Sequence, residues 1–323
     1  MSTNLCVTVG DNVPVIDCEG KRARPRMFLA GSKEFTPAEY LVNGKWDEAT
    51  FTAAILAAIN LNTGVAGKLF PFPEILQVDD NSEAPTTGSL AFGPIRYLGN
   101  GKYGYTYSVE VGHSTYQALL TYHGKKVPLY TYDDASQFWA NKNKTTGNLK
   151  GEMATIGILG GGFENGTDAT SGVVQITIAF NDVEAFKKRS AYAEFNNLAI
   201  SDLVPLKNTS LYDVQAHAAN VYKIGLKIPT AKIGQDLNPW AEIGAAIAAM
   251  TFTAGTGTGY GTALTITSVA ADNTLGCFTV TFDSTAFTAL GSGAKIRLVP
   301  PTVATLYAAG ITGFELLPVV VIK

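Results

Sequence analysis

Two pairs of adjacent carboxylates, Asp79-Asp80 and Asp133-Asp134, offer the plainest material for general acid–base chemistry in this chain. Such chemistry needs two carboxyls facing one substrate from different surroundings. Neighbours on a strand point to opposite faces, and on a turn they bond backbone N–H groups. Both pairs therefore read as solvated or capping acids. Asp79, Asn81 and Glu83 alternate like the start of a calcium loop. That loop needs Gly at its sixth position and Glu at its twelfth, where this chain has Ala84 and Leu90. His113, His123 and His217 lack ligand spacing, and CxxC and GxSxG are absent. The glycine runs 157–162 and 255–261 fit neither GxGxxG nor a Walker A loop and read as β connections. The expectation is a protein that is not an enzyme, with no catalytic residue, no metal ligand and no cofactor.

Binding residues are weighed in the same way. Lys21, Arg22, Arg24 and Arg26 form a small basic cluster. No aromatic residue interleaves it, so it is no stacking platform for single strands, and it reads as a solvated loop or a subunit contact. Tyr103, Tyr105 and Tyr107 share one face of a strand. With Trp139 and Trp240 they would serve a carbohydrate-binding or adhesin-like module. The preferred reading is a half-buried sheet face with hydroxyls at its rim. Cys6, Cys18 and Cys277 are odd in number and read as reduced thiols in a protein made in the cytosol.

The elements that must position these residues follow from composition and periodicity. Only 16% of the 323 residues are charged while 46% are hydrophobic, against about 25% charged in typical soluble domains. Disorder, a coiled coil and a polybasic nucleic-acid protein are thereby excluded. A net charge of −3 gives no whole-chain attraction for DNA or anionic lipid. No apolar run reaches the ~18 residues of a membrane helix, and MSTNLCVTVG lacks the regions of a secretory signal. Scarce charge favours surface hidden against further copies of the chain.

The pattern is mainly β. Val173 to Phe180 alternates strictly, as does Tyr103 to Val111, which is expected to pair with Pro94–Leu98 through a Gly99-Asn100-Gly101 turn. Strands are also expected at Val127–Tyr132, Gln137–Ala140, Glu152–Leu159, Leu264–Val269, Cys277–Asp283, Lys295–Val299 and Phe314–Ile322. Gly160–Gly172 and Thr251–Gly261 read as loops. Asp47–Ile59 carries a helical stripe of Phe51, Ala54, Ile55, Ala58 and Ile59. A second helix, Ser114–His123, has a Ser114/Gln117 capping box and Gly124 beyond its end. Asp182–Ser190 and Thr302–Ala309 are helical turns, Asn238–Met250 is a short Ala-rich helix, and Leu211–Ile228 fits helix or strand. Past Pro229 charge thins: eight charged residues lie between Asp236 and Lys323, and residues 251–312 hold 15 threonines. The expectation is a β-sandwich or rolled sheet with a few short flanking helices over 1–235, and a smaller Thr/Gly-rich β domain over 236–323.

One stretch carries a resemblance. Lys126-Val127-Pro128-Leu129, Asp133-Asp134, Phe138-Trp139, Leu149-Lys150-Gly151-Glu152 and Val174-Gln175-Ile176-Thr177-Ile178 follow one another as strand, acidic turn, aromatic strand, Lys-Gly and strand. This resembles bacteriophage tail-tube and head–tail ring proteins, especially those of Bacteroidetes-type hosts. Lys295 to Ile322 is similar in style to phage virion β domains. The family's Asp-x-x-Gly turn is not met, since Asp134-Ala135-Ser136-Gln137 has no glycine. The resemblance implies a structural virion subunit, made in the host cytoplasm, that self-assembles into rings or a tube through sheet edges and apolar interfaces. Its implied partners are identical subunits and other virion proteins, with no specific nucleic-acid binding and no membrane. A capsid protein built of jelly rolls is the alternative in the same class.

Overall fold

Alternating apolar side chains build much of this chain into sheets. The computed structural model describes residues 6–7, 22–43, 45–84, 86–88, 96–99, 101–164, 173–214, 217, 219–230 and 235–323. Strand accounts for 42% and helix for 21%, so the fold is mainly β with short helices. The chain divides into two compact units, Met1–Ile59 with Thr63–Pro205, and Asn60–Asn62 with Leu206–Lys323. The division thus falls at residue 205 and not at the expected 235. Composition changes near 235, but strands before that point pair with C-terminal ones, and pairing defines the unit.

The strands of the first unit's large sheet are β1 (Cys6–Val7), β2 (Pro25–Ala30), β3 (Phe70–Pro71), β4 (Ile75–Asp80), β5 (Tyr103–Val109) and β6 (Lys126–Asp133). They continue with β7 (Gln137–Lys142), β8 (Leu149–Lys150), β9 (Glu152–Glu164), β10 (Val173–Phe180) and β11 (Ser190–Glu194). The 11-stranded sheet runs β1-β11-β7-β6-β9-β10-β5-β4, with β8 on β7 and with β2 joining β6 to β3. A curled half-barrel is among the sheets of the chain. The two faces of the 11-stranded sheet bury two separate cores. Met27 and Leu29 of β2 enter one core, and Phe28 and Ala30 enter the other. Helix α1 (Glu48–Ile59) covers the first face, burying Phe51, Ile55, Ala58 and Ile59 as its stripe dictates. Phe51 meets Phe35 at 4.9 Å and stacks on Phe195 at 5.6 Å. Helix α2 (His113–Leu120) adds Leu119 to the second core. Helix α3 (Val183–Lys188) starts at Asp182, whose side chain accepts from the N–H of Ala185 at 2.8 Å.

Several local expectations are corrected. Tyr103–Val109 does not pair with the segment before Gly99; it lies between β4 and β10, while Arg96–Gly99 pairs with Thr86–Gly88. Long alternating strands bury more side chain against each other than the short hairpin would. Asn100 of the expected turn lies outside the described residues. The Ser114 capping box does not form. The helix begins one residue earlier, its cap Gly112 offers no side chain, and Gln117 faces His113 at 3.3 Å. The expected loop from Gly160 is strand as far as Glu164, and residues 165–172 lie outside the described ones.

The second unit is a sandwich. Strands β12 (Lys207–Asp213) and β13 (Val221–Lys227) resolve the ambiguous 211–228 stretch as strand. Strands β14 (Thr253–Thr256), β15 (Thr262–Leu264), β16 (Ile266–Asp272) and β17 (Cys277–Phe282) follow. The last are β18 (Lys295–Val299), β19 (Phe314–Leu317) and β20 (Val319–Ile322). A five-stranded sheet, β16-β17-β13-β12-β19, faces a four-stranded one, β15-β14-β18-β20. Tyr222, Ile224, Phe278, Val280 and Leu316 from one sheet share a core with Leu264, Ile296, Leu298 and Val321 from the other. The expected Thr251–Gly261 loop contains β14, because Gly255 lets the backbone approach Tyr260: a Cβ there would lie 2.3 Å from the Tyr260 carbonyl. The single strand expected over Phe314–Ile322 breaks at Pro318, and its halves join different sheets. A proline supplies no N–H to a ladder, which is where such a strand can change partners.

Candidate assembly surfaces

The side chains with chemical potential are mostly consumed in holding the fold. Asp133 ends β6 almost wholly buried. One carboxylate oxygen accepts from the N–H groups of Ala135 (3.0 Å) and Gln137 (2.9 Å), the other from Ala23 N–H (3.1 Å) and Trp139 Nε1 (2.8 Å). Ser136 takes the left-handed conformation, φ +58°, within this turn. Asp134, exposed, pairs with Arg24 at 2.9 Å and Arg26 at 3.5 Å. The two adjacent acids thus face opposite ways and share no site.

The basic cluster is used likewise. The Arg22 guanidinium lies 4.7 Å over the Trp139 ring and 4.2 Å over the Phe186 ring, and it pairs with the buried Glu152. Arg26 also pairs with Glu74. Lys21 lies outside the described residues. The Arg22–Glu152 pair was missed from sequence; its one signal is an acid that opens a run without charge from Met153 to Phe163.

The remaining candidates are dispersed. Asp79 and Asp80 sit on β4, where the Ser82 hydroxyl and N–H hold the Asp80 carboxyl below its ordinary value. Asn81 bonds Thr106 and Glu83 meets Lys102 at 3.3 Å, so the calcium-like alternation belongs to strand pairing. His123 Nδ1 accepts from Ile158 N–H at 3.0 Å, while His217 stacks on Tyr222 at 4.3 Å. Among the described residues no group of three or more His, Cys, Asp or Glu is placed to hold a metal ion. Cys277 is a buried free thiol whose pKa burial raises, and Cys18 lies outside the described residues. Of the tyrosine row, Tyr107 is buried against Phe28 at 4.8 Å, and Tyr103 and Tyr105 are half-buried. Trp139 is 5% exposed and Trp240, half-buried, bonds Asn273 at 3.2 Å. No helix among the described residues is long and apolar enough to cross a membrane.

The sheet edges differ in how they are guarded. An edge strand offers unpaired N–H and C=O groups to any neighbour unless charge, proline or a covering segment blunts it. Both ends of the large sheet are blunted. Strand β1 covers β11, pairing Cys6 with Tyr192 and Val7 with Ala191. On β4, the Leu76 carbonyl accepts from Arg24 at 3.1 Å, and Asp79 and Asp80 add charge. Two edge strands of the second unit are less guarded. Strand β16, ITSVAAD, pairs only with β17 among the described strands and carries neither lysine nor proline. Strand β20 pairs only with β18 among the described strands and exposes Val320 at 43% and Ile322 at 57%. The chain matches no protein-family model, no curated protein and no solved structure.

Proposed function

We propose that this protein is a structural subunit that assembles with copies of itself through sheet edges and apolar faces. Its proposed setting is the virion of a bacteriophage, as a tail-tube or head–tail ring subunit. The observation that carries the reading is β16: seven residues of edge strand with Asp272 as their only charge. A permanent neighbour's strand would complete its hydrogen bonding, and small exposed side chains such as Ala270 and Ala271 would let that strand approach. The exposed Val320 and Ile322 of β20 suit the apolar interfaces of permanent assemblies. The virion setting rests on the sequence resemblance.

Light scattering across concentration, followed by negative-stain microscopy, tests the reading. Stacked rings or tubes support it. Closed shells would move the protein to the capsid alternative. A strict monomer at every concentration, alone and with co-expressed virion proteins, would defeat both.

A further inference from the structure

Four side chains share the outer face of the β18–β20 pair in the second unit. Lys295 lies opposite Ile322 and Arg297 opposite Val320, and directly opposed residues of a ladder project to the same side. All four are exposed, while Ile296, Leu298 and Val321 between them enter the core. Strands β14, β15, β18 and β20 hold no acid. Neither Lys295 nor Arg297 pairs with a carboxylate among the described residues. The Arg297 guanidinium lies 5.9 Å from the Tyr260 ring centroid. The face is thus apolar and cationic at once.

The first unit carries the complementary surface. On β4, Leu76 is 49% exposed, and Asp79 and Asp80 are exposed beyond it. The cations beside this strand are matched by other acids: Arg24 pairs with Asp134 at 2.9 Å, Arg26 with Glu74 and Asp134, and Lys102 with Glu83 at 3.3 Å. Asp79 accepts from Gln77 at 3.3 Å and Asp80 from the Ser82 N–H at 2.8 Å. Neither acid pairs with a cation among the described residues. Charge blunts an edge against strands at large, but an acidic edge still selects a basic partner.

We infer that the Lys295/Arg297 face of one copy docks on the β4 acids of a second copy. The inference rests on the self-assembly proposed above and names one of its contacts. Lys295 and Arg297 meet Asp79 and Asp80, and Val320 and Ile322 cover Leu76. The two surfaces differ, so the contact is head-to-tail; repeated, it closes into a ring or runs on as a filament. The acids that answer this face lie on the chain itself, whereas a chain of net charge −3 is not drawn to nucleic acid or anionic lipid.

Charge reversal in two variants of the full chain tests the inference. Lys295→Glu with Arg297→Glu makes the face acidic. Asp79→Lys with Asp80→Asn makes β4 basic, and the amide oxygen at position 80 still accepts from the Ser82 N–H. Both variants are checked for native circular dichroism. Light scattering on each alone is expected to show the concentration threshold for assembly raised about tenfold or more, because like charges are brought together. An equimolar mixture is expected to assemble at the wild-type threshold, since each variant meets its complement at both contacts. A chain carrying all four substitutions is expected to assemble alone for the same reason. Rescue by mixing also places the contact between copies. If the wild type assembles and either variant alone does so at the same threshold, this contact falls and the assembly reading stands. Failure of both the mixture and the fourfold variant, with native circular dichroism, has the same meaning. A wild type that stays monomeric under every condition defeats the assembly reading and this contact with it. Binding of the wild type to phosphatidylserine vesicles, lost in the Lys295/Arg297 variant while that variant assembles normally, would give the face to a membrane and overturn the inference.

Discussion

Trp139 Nε1 donates to Asp133 Oδ2 over 2.8 Å, across the hairpin whose turn the same carboxylate holds together. One buried acid thereby fixes a turn, an indole and, through Ala23, the incoming N-terminal chain. Asp133→Ala leaves four donors without an acceptor and is expected to cost about 3–5 kcal/mol. Urea unfolding measures it; a loss under about 1 kcal/mol would mean the network contributes little.

Arg22 and Glu152 form a second buried tie, between the N-terminal chain and β9. Arg22→Met strands the Glu152 carboxylate and is expected to destabilise by about 3–5 kcal/mol. Adding Glu152→Gln to that variant should restore part of the loss, because the stranded charge is gone. Additive losses in the double-mutant cycle would contradict the coupling.

Alkaline pH should loosen both units. Burial, with a contribution from Asp213, pushes the Tyr222 hydroxyl up to about 12. Burial also raises Tyr107 and Tyr130. The neutral forms are favoured in the folded state, so the unfolded chain loses these protons first. Their contribution is complete below the ordinary tyrosine value near 10 and is lost as pH rises toward the folded values. Tyr222 also donates to the Ile322 carbonyl at 3.2 Å, a bond its ionised form cannot make. Ultraviolet titration should show these tyrosinates appearing together with unfolding; normal ionisation in the folded protein would refute the expectation.

Gly151 and Gly291 should respond differently to alanine. A Cβ at Gly151 meets backbone that cannot yield, so Gly151→Ala is expected to cost about 1–3 kcal/mol. Gly291 is exposed with nothing within 4 Å and no left-handed φ, so Gly291→Ala should stay within about 0.5 kcal/mol. Thermal melts of the pair decide it.

Charging the bare edge separates folding from assembly. Ala270 is exposed on β16, so Ala270→Lys should change subunit stability by no more than about 0.5 kcal/mol. It should suppress assembly, because a lysine on an edge blocks a partner strand. Assemblies forming normally in this variant would remove β16 from the interface.

Local pattern was enough for the interior of most elements. Val174, Ile176, Ile178 and Phe180 alternate in the sequence and are buried in β10, and Phe51, Ile55 and Ala58 recur at helical spacing and are buried under α1. The turn at Asp133-Asp134 was legible as well, but not that Asp133 is buried there with Trp139 as a partner. Only tertiary structure decided that Tyr103–Val109 pairs with Ile75–Asp80 and Val173–Phe180. It also decided that the unit boundary precedes Leu206, that Phe314–Ile322 divides between two sheets, and that Arg22 reaches Glu152. Side-chain periodicity reports which face of a segment is buried, a property of neighbours along the chain. Strand partners and ion pairs are set by contacts between residues far apart in sequence, and no local window contains both halves of such a contact.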